Sequence, residues 1–373
     1  MRLQRVDGIL FRCAVESHER RRIAVTGAWR ASTAVDLEYD AHGRLTGVGD
    51  TPDAHRRTVR KRALVQDAVH GACKVHGTDG ERNQRSASSA SYVNFGMLDT
   101  ITIGSLEVRS AQPAAKAGGR SRPPILFVPG YLATAWVYES YLSFFADRGY
   151  AGFAVNLRGR EGSGLPSGTF LGRVTLDDYI ADAREVARWL AERVGQPIVF
   201  GHSMGGLIAQ KLGEEGLARA LVLLSPAPPR GISVMTPAVL RRQLRYLPAL
   251  LRSRRIVPRF SDMRALVLNR VPAAEQETMF ARFVPDSGRA GRDMSLGAVR
   301  VDPERVRANG CKVLVATSDD DRFIPQRIAQ RIAQRYHAPL YIARGHGHLM
   351  LQEPGWQEAA EFIAGWLDRE VVR

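Results

Sequence analysis

The sequence is poor in cysteine, in lysine and in long apolar runs. Three cysteines in 373 residues, Cys13, Cys73 and Cys311, are too few and too scattered for a disulfide framework or a zinc cluster, and their odd number fits a reducing compartment. No apolar stretch approaches the roughly 18 residues of a membrane span. The opening MRLQRVDGILFRCAVESHERRR breaks its short apolar run with charges and makes a poor signal peptide. The expectation is a cytoplasmic protein with no metal and no cofactor. Of the 53 basic residues only Lys61, Lys74, Lys116, Lys211 and Lys312 are lysines, an arginine bias that GC-rich coding alone can produce. The formal net charge of +15 is uneven, with +5 over 1–96, +1 over 97–225, +9 over 226–300 and 0 over 301–373. No nucleic-acid reader motif accompanies it, so no nucleic-acid partner is expected. A content of 45% hydrophobic and 24% charged residues is that of an ordinary globular chain and excludes a wholly disordered or collagen-like one.

From about residue 97 short apolar runs bounded by turn residues alternate with stretches of helical period, the pattern of a mostly parallel α/β sheet. Strands are predicted at Ile101–Arg109 (an opening hairpin), Ile125–Val128, Gly152–Asn156, Pro197–Phe200, Ala220–Leu224, Lys312–Ala316 and Pro339–Ala343. Helices are predicted at Thr134–Arg148, Leu176–Val194, Met204–Glu215, Pro325–Tyr336 and Gly355–Glu370, the second announced by a capping box of Thr175 and Asp178. Residues 226–300 interrupt the alternation with proline-punctuated helical segments, as a lid inserted into a finished sheet would. Residues 1–96 lack the alternation, carry five of the nine histidines and include a Ser/Ala-rich passage, Ser86–Ser91. Tyr39–Leu45 reads as a turn between two short strands, like a single YD-type repeat unit, which alone has no stacked neighbour to bury a core. This extension is expected to be poorly ordered or to be an over-long gene start ahead of Met97. The rival expectation is a small accessory domain, with 97–373 as the catalytic domain in either case.

The chemistry concentrates in Pro197–Gly206, PIVFGHSMGG, where an apolar strand runs through Gly201-His202-Ser203-Met204-Gly205 into a helix. G-x-S-x-G in this context is a nucleophile elbow, with glycines flanking a serine on a turn so sharp that its hydroxyl stands above the sheet. The following helix aims its N-terminal N–H groups at the place where an acyl oxygen would become negative. A serine hydroxyl is a weak nucleophile at neutral pH and needs a histidine base and a carboxylate to orient it. Downstream of Ser203 stand only His337, His346 and His348. His337 ends a predicted helix, whereas His346 and His348 share the loop after the last strand. The acid is to be sought in Thr317–Asp321 beyond a strand's carboxyl end, where Asp319, Asp320 and Asp321 compete.

From about Ile101 to Trp366 the sequence resembles the α/β-hydrolase superfamily, in the group of monoacylglycerol lipases, lysophospholipases and carboxylesterases. The resemblance implies an α/β-hydrolase fold, a mostly parallel sheet flanked by helices with a helical lid. It also selects among the candidates. The family's acid opens an Asp-x-x-x-Pro run, which Asp321–Pro325 matches, and its histidine stands five residues before a Glu, as His348 does before Glu353. The oxyanion hole would combine the N–H of Met204 with that of Tyr131, in Pro129-Gly130-Tyr131 where the family commonly has His-Gly. A second departure is Asn156-Leu157-Arg158-Gly159-Arg160-Glu161-Gly162-Ser163, which carries Asn for the family's Asp and one extra residue.

Within the lid, Pro237–Arg255 places Val239, Leu240, Leu244, Leu247, Leu250 and Leu251 on one helical face opposite arginines. That face is expected to cover the pocket or, as a basic amphipathic helix, to touch a membrane surface peripherally. Met235, Met263, Met279 and Phe280 add adaptable apolar surface suited to an acyl chain or to plain packing. The expected activity is hydrolysis of a carboxylic ester of a lipid-like or other small acyl substrate through an acyl-enzyme. The alternatives are a thioesterase or cofactor-free perhydrolase with the same triad, and a non-catalytic binding protein on this fold.

Overall fold

Alternation of apolar side chains with period two places one set on each face of a strand, and a strand buried on both faces needs helices on both sides. The computed structural model describes residues 3–6, 9–13, 22–25, 35–39, 45–48, 98–114, 122–233, 241 and 244–372. The chain divides into two units, Met1–Ala90 and Ser91–Arg373. In the first, β1 (Leu3–Val6), β2 (Ile9–Cys13), β3 (Arg22–Val25), β4 (Val35–Tyr39) and β5 (Leu45–Val48) pair in sequence order as an antiparallel sheet. The YD-type segment connects β4 and β5. Its residues 40–44, like Ser86–Ser91, lie outside the described residues.

The second unit is built on β6 (Asp99–Ile103), β7 (Leu106–Ala111), β8 (Ile125–Val128), β9 (Gly152–Val155), β10 (Ile198–His202), β11 (Ala220–Leu224), β14 (Lys312–Ser318) and β15 (Leu340–Ala343). They form one sheet in the order β15-β14-β11-β10-β8-β9-β7-β6. Neighbours from β15 to β9 are parallel, while β7 runs antiparallel to both β6 and β9. Between them, β12 (Arg255–Ile256) and β13 (Asp286–Ser287) make a separate antiparallel pair within the 226–300 insertion, which enters after β11 and leaves before β14.

Side chains of successive residues go to opposite cores. Leu126, Val128, Val199, Leu221 and Leu223 pack with helices Leu176–Arg193, Met204–Glu214 and Gln326–Tyr336. Ile125, Phe127, Ile198, Phe200 and Val222 pack with helices Glu139–Ala146 and Trp356–Glu370. The predicted helix from Thr134 begins instead as a 3-10 turn, Ala135–Tyr138, whose first N–H, that of Ala135, donates to the Asn156 side chain. Among the described residues no helix is long and apolar enough to cross a membrane.

Helix Leu176–Arg193 buries Tyr179, Ala183, Val186, Ala187 and Leu190 along one face, and its start is fixed by the predicted capping box. Thr175 Oγ1 accepts from Asp178 N at 3.1 Å, and Asp178 Oδ2 accepts from Thr175 N at 2.8 Å. Burial opposes ionisation of Asp178, yet the Thr175 hydrogen bonds and Arg158 hold its carboxyl below the usual range. Thr175→Ala should cost about 1 kcal/mol, and a thermal midpoint lower by roughly 2–4 °C is expected. An unchanged midpoint would remove the cap from the account of this helix.

Candidate active site

Each chemistry-bearing segment leaves the sheet at the carboxyl end of a parallel strand: loop 129–133 after β8, Ser203 after β10, Asp321 after β14 and His348 after β15. The parallel register brings these four ends to one edge, as in other open α/β sheets.

Ser203 stands at φ 54° and ψ −118°, backbone that a residue with a Cβ adopts at a cost of about 1–3 kcal/mol. Its surroundings dictate the turn. Ser203 N–H donates to Leu224 O at 3.0 Å, extending the β10–β11 ladder by one residue, while its carbonyl accepts from Gly206 N at 2.9 Å and Ala227 N at 2.8 Å. The helix can start this close to the strand only because two side chains are missing. A Cβ on Gly201 would lie 2.2 Å from Gly205 O, and one on Gly205 would lie 2.0 Å from Val128 O.

The acid and base candidates separate cleanly. His337 is exposed and ends its helix in left-handed backbone, φ 52°. His346 Nδ1–H donates to Arg344 O at 2.9 Å, the loop-bracing contact expected of a non-catalytic histidine. His348 Nδ1 lies 2.8 Å from Asp321 Oδ2. A carboxylate only accepts, so Nδ1 carries the proton and the Nε2 lone pair stays basic. Asp321 Oδ1 is held by Phe323 N at 2.9 Å and Ile324 N at 2.8 Å, and the Phe323 ring meets the His348 ring edge-on. Asp319 accepts instead from Gly345 N at 2.8 Å. Asp320 turns outward to Arg270 at 2.6 Å and Arg322 at 3.2 Å. Those guanidiniums outweigh burial and hold it below the usual carboxylate range. The three aspartates thus divide their work, and only Asp321 faces His348.

The His348 loop is seated directly on the turn at Ser203. His202 Nε2–H donates to His348 O at 2.9 Å, and the two rings lie 4.8 Å apart. Burial, with His348 beside it, lowers His202 to about 3, so His202 is a neutral structural donor. From the other side Glu353 Oε2 accepts from Gly347 N at 2.6 Å. Burial lifts the Glu353 carboxyl above its ordinary value while that bond pulls the other way. The glutamate that served only as a landmark in the sequence therefore braces the histidine loop. Ser203, Asp321 and His348 are 5%, 6% and 3% exposed.

Gly130 lies against Ser203, its missing Cβ position 3.1 Å from Ser203 Cβ. This places the turn carrying Tyr131 beside the start of the helix at Met204. The Tyr131 phenol is committed to Ser287 O at 2.6 Å rather than free to line a pocket. The two departures after β9 acquire separate roles. Asn156 Oδ1 accepts from Ala135 N at 2.6 Å and its amide donates to Glu107 at 2.7 Å, bonds that an aspartate could make only in part. Arg158 pairs with Asp178 and Asp182. Arg160, in the same stretch, is fully buried against Asp286 at 2.7 Å. Nothing in the sequence linked these last two residues, which are 126 apart.

The lid differs from the single amphipathic helix predicted over Pro237–Arg255. Met235, Val239 and Leu240 lie outside the described residues. Beyond them a 3-10 turn, Leu244–Tyr246, gives way to a helix of one turn, Leu247–Leu251. Pro248 can occupy only the first turn of a helix, and Ser253 at φ 49° ends the run before Arg255 enters β12. Leu244, Leu247 and Leu251 are 57%, 43% and 61% exposed, so these three leucines face solvent. Met263 packs into the core beneath the helix Phe260–Leu266, whereas Met279 and Phe280 are half-buried against it.

The buried neutral His202 generates a pH dependence. Its folded pKa of about 3 lies below the ordinary 6.5, so the unfolded chain binds the extra proton first. The stability it contributes is complete above about pH 6.5 and is lost as pH falls towards 3, by up to about 1.4 kcal/mol per pH unit. His202→Gln should flatten this acid limb in urea titrations between pH 7 and 4. An unchanged slope would assign the limb to other groups.

The alpha/beta hydrolase family model matches residues 125–363. None of the curated proteins matches the sequence. Among solved structures, a soluble variant of monoglyceride lipase from Saccharomyces cerevisiae is 13% identical, covers 76% of this chain and 99% of its own, and superposes with a TM-score of 0.58. A thermophilic esterase from Thermogutta terrifontis is 18% identical with coverage of 74% and 99% and a TM-score of 0.54. A hydrolase from Pseudomonas aeruginosa is 20% identical with coverage of 74% and 99% and a TM-score of 0.52. At such identities the likeness is one of fold. With a family match spanning β8 to the last helix, the chain belongs to the alpha/beta hydrolase family.

Proposed function

We propose that this protein is a serine hydrolase that cleaves a carboxylic ester of a lipid-like or other small acyl substrate. Ser203 Oγ attacks the acyl carbonyl, and His348 Nε2 takes the hydroxyl proton and returns it to the departing alcohol. Asp321 holds His348 in the Nδ1–H tautomer and stabilises the imidazolium that forms. The N–H groups of Met204 and Tyr131 receive the oxyanion. Water, deprotonated by His348, then attacks the acyl-enzyme, releasing the carboxylic acid and restoring Ser203. The observation that carries this reading is the His348–Asp321 hydrogen bond of 2.8 Å, buried and set beside the strained elbow. A serine at the elbow argues against the halide and epoxide chemistry of relatives that use aspartate there. The esterase and lipase structures of the same fold support an ester substrate. Residues 97–373 are assigned as the catalytic domain, with the 1–96 extension outside it.

The test is fluorophosphonate labelling with p-nitrophenyl ester turnover. Wild type should label at one serine and hydrolyse the esters, Ser203→Ala should do neither, and His348→Ala should lose at least about 10³-fold in turnover. An unlabelled wild type, or equal labelling of Ser203→Ala, would overturn the reading in favour of a non-catalytic protein. Preference among p-nitrophenyl esters, monoacylglycerols and acyl thioesters separates the esterase from the thioesterase reading.

The solvent-facing Leu244, Leu247 and Leu251 amid exposed Arg252, Arg254 and Arg255 support peripheral contact of the lid with an anionic lipid surface. Co-sedimentation with vesicles containing phosphatidylglycerol should fall with salt and be lost in Leu247→Asp/Leu251→Asp. Retention by that variant would place the contact elsewhere.

A further inference from the structure

Loop 129–133 is fastened from outside by a single buried ion pair. Arg160 Nη1 donates to Gly130 O at 2.9 Å and also to Ala133 O. Its Nη2 donates to Asp286 Oδ2 at 2.7 Å. The same carboxylate oxygen accepts from Leu132 N at 2.7 Å, while Oδ1 accepts from Tyr179 OH at 2.5 Å and Ser287 N at 2.7 Å. All four acceptor positions of Asp286 are thereby filled, and both side chains are 0% exposed. A buried ion pair gives little net stability over apolar residues of the same shape. Its value lies in what it orients.

The peptide joining Gly130 to Tyr131 is planar, and no peptide among the described residues is cis. Its carbonyl oxygen and the Tyr131 N–H therefore point in opposite directions from one rigid plate. Holding Gly130 O with a guanidinium fixes the direction of that N–H. A cation on the carbonyl side also draws electron density through the amide and strengthens the donor on the other side. Leu132, at φ 63°, completes a turn whose next amide is spent on Asp286, so Tyr131 N–H is the one that the clamp directs. Asp286 and Ser287 are β13, the base of the lid insertion, and the Tyr131 phenol reaches the carbonyl of Ser287. Whatever displaces the lid base moves the clamp with it.

We propose that Arg160 and Asp286 are positioning residues of the oxyanion hole, Arg160 aiming and polarising the Gly130–Tyr131 peptide and Asp286 holding Arg160 from the lid base. The proposal rests on the serine hydrolase reading above. It assigns a function to the stretch after β9 and couples lid seating to transition-state stabilisation.

Removing one partner strands a buried charge, so the informative variant is Arg160→Met/Asp286→Leu, with Arg160→Lys as the conservative companion. For a folded double variant, kcat on p-nitrophenyl acetate should fall about 10²–10³-fold, the loss associated with one oxyanion donor. KM should stay within about threefold, because ester binding does not use the donor fully until charge develops. Affinity for an aryl trifluoromethyl ketone, whose serine adduct carries the oxyanion, should fall by the same factor as kcat. Arg160→Lys, able to reach one carbonyl but not both, should lose at least tenfold in kcat and in ketone affinity together. An active, labelled wild type with unchanged kcat or ketone affinity in a folded double variant overturns this proposal alone. If the double variant does not fold, unchanged values in Arg160→Lys do the same. An unlabelled wild type overturns it together with the hydrolase reading.

Discussion

The site depends on one backbone constraint, the reversal at Ser203 from the end of β10 into a helix within a single residue. That residue sits in left-handed backbone with a side chain attached, and the strain is tolerated because the strand before it is fully buried and the helix after it has nowhere else to start. Two absent side chains, at Gly201 and Gly205, set how near strand, helix and the carboxyl end of β8 can come. Widening any of these distances would move the serine away from the loops that converge on it. The sheet thus acts as a jig whose precision is set by close packing rather than by any bond to the serine hydroxyl.

Around that point three loops are fixed by different means. The acid loop is tied by its own turn amides and by outward ion pairs on Asp320. The His348 loop is gripped between His202 below and Glu353 behind. The loop after β8 is clamped by Arg160 and Asp286. In each case a buried polar group with few alternative partners specifies one geometry, which apolar packing alone does less sharply. The His202–His348, Arg270–Asp320 and Arg160–Asp286 contacts cross between segments that are far apart in sequence, so that part of the arrangement exists only in the folded chain.

That separation explains what was legible beforehand. Strand positions, the capping box and the elbow are local patterns: period-two runs such as Ile125–Val128, Thr175 three residues before Asp178, and glycines beside Ser203. His348 and Asp321 needed short-range spacing plus a family resemblance, and the structure joins them directly. Arg160 with Asp286 left no such trace, because a pair spanning 126 residues has no periodicity and each member resembles a solvated surface charge. The long lid helix failed for the opposite reason. Its leucine spacing obeyed the helical rule, yet Pro248 and the left-handed Ser253 cut it short, and periodicity does not register chain breaks of that kind.

The 5% exposure of Ser203 has a kinetic meaning. For the hydrolase proposed above, an ester reaches a serine so enclosed only as often as the residues around it open. Measured affinity is then intrinsic affinity diluted by the open fraction: an enzyme open one part in a hundred binds about a hundredfold more weakly than its open form would. An interface or ligand that stabilises the open form would lower the KM of that proposed reaction without touching Ser203, Asp321 or His348. Specificity could thereby be exercised at the gate, ahead of any contact between substrate and serine.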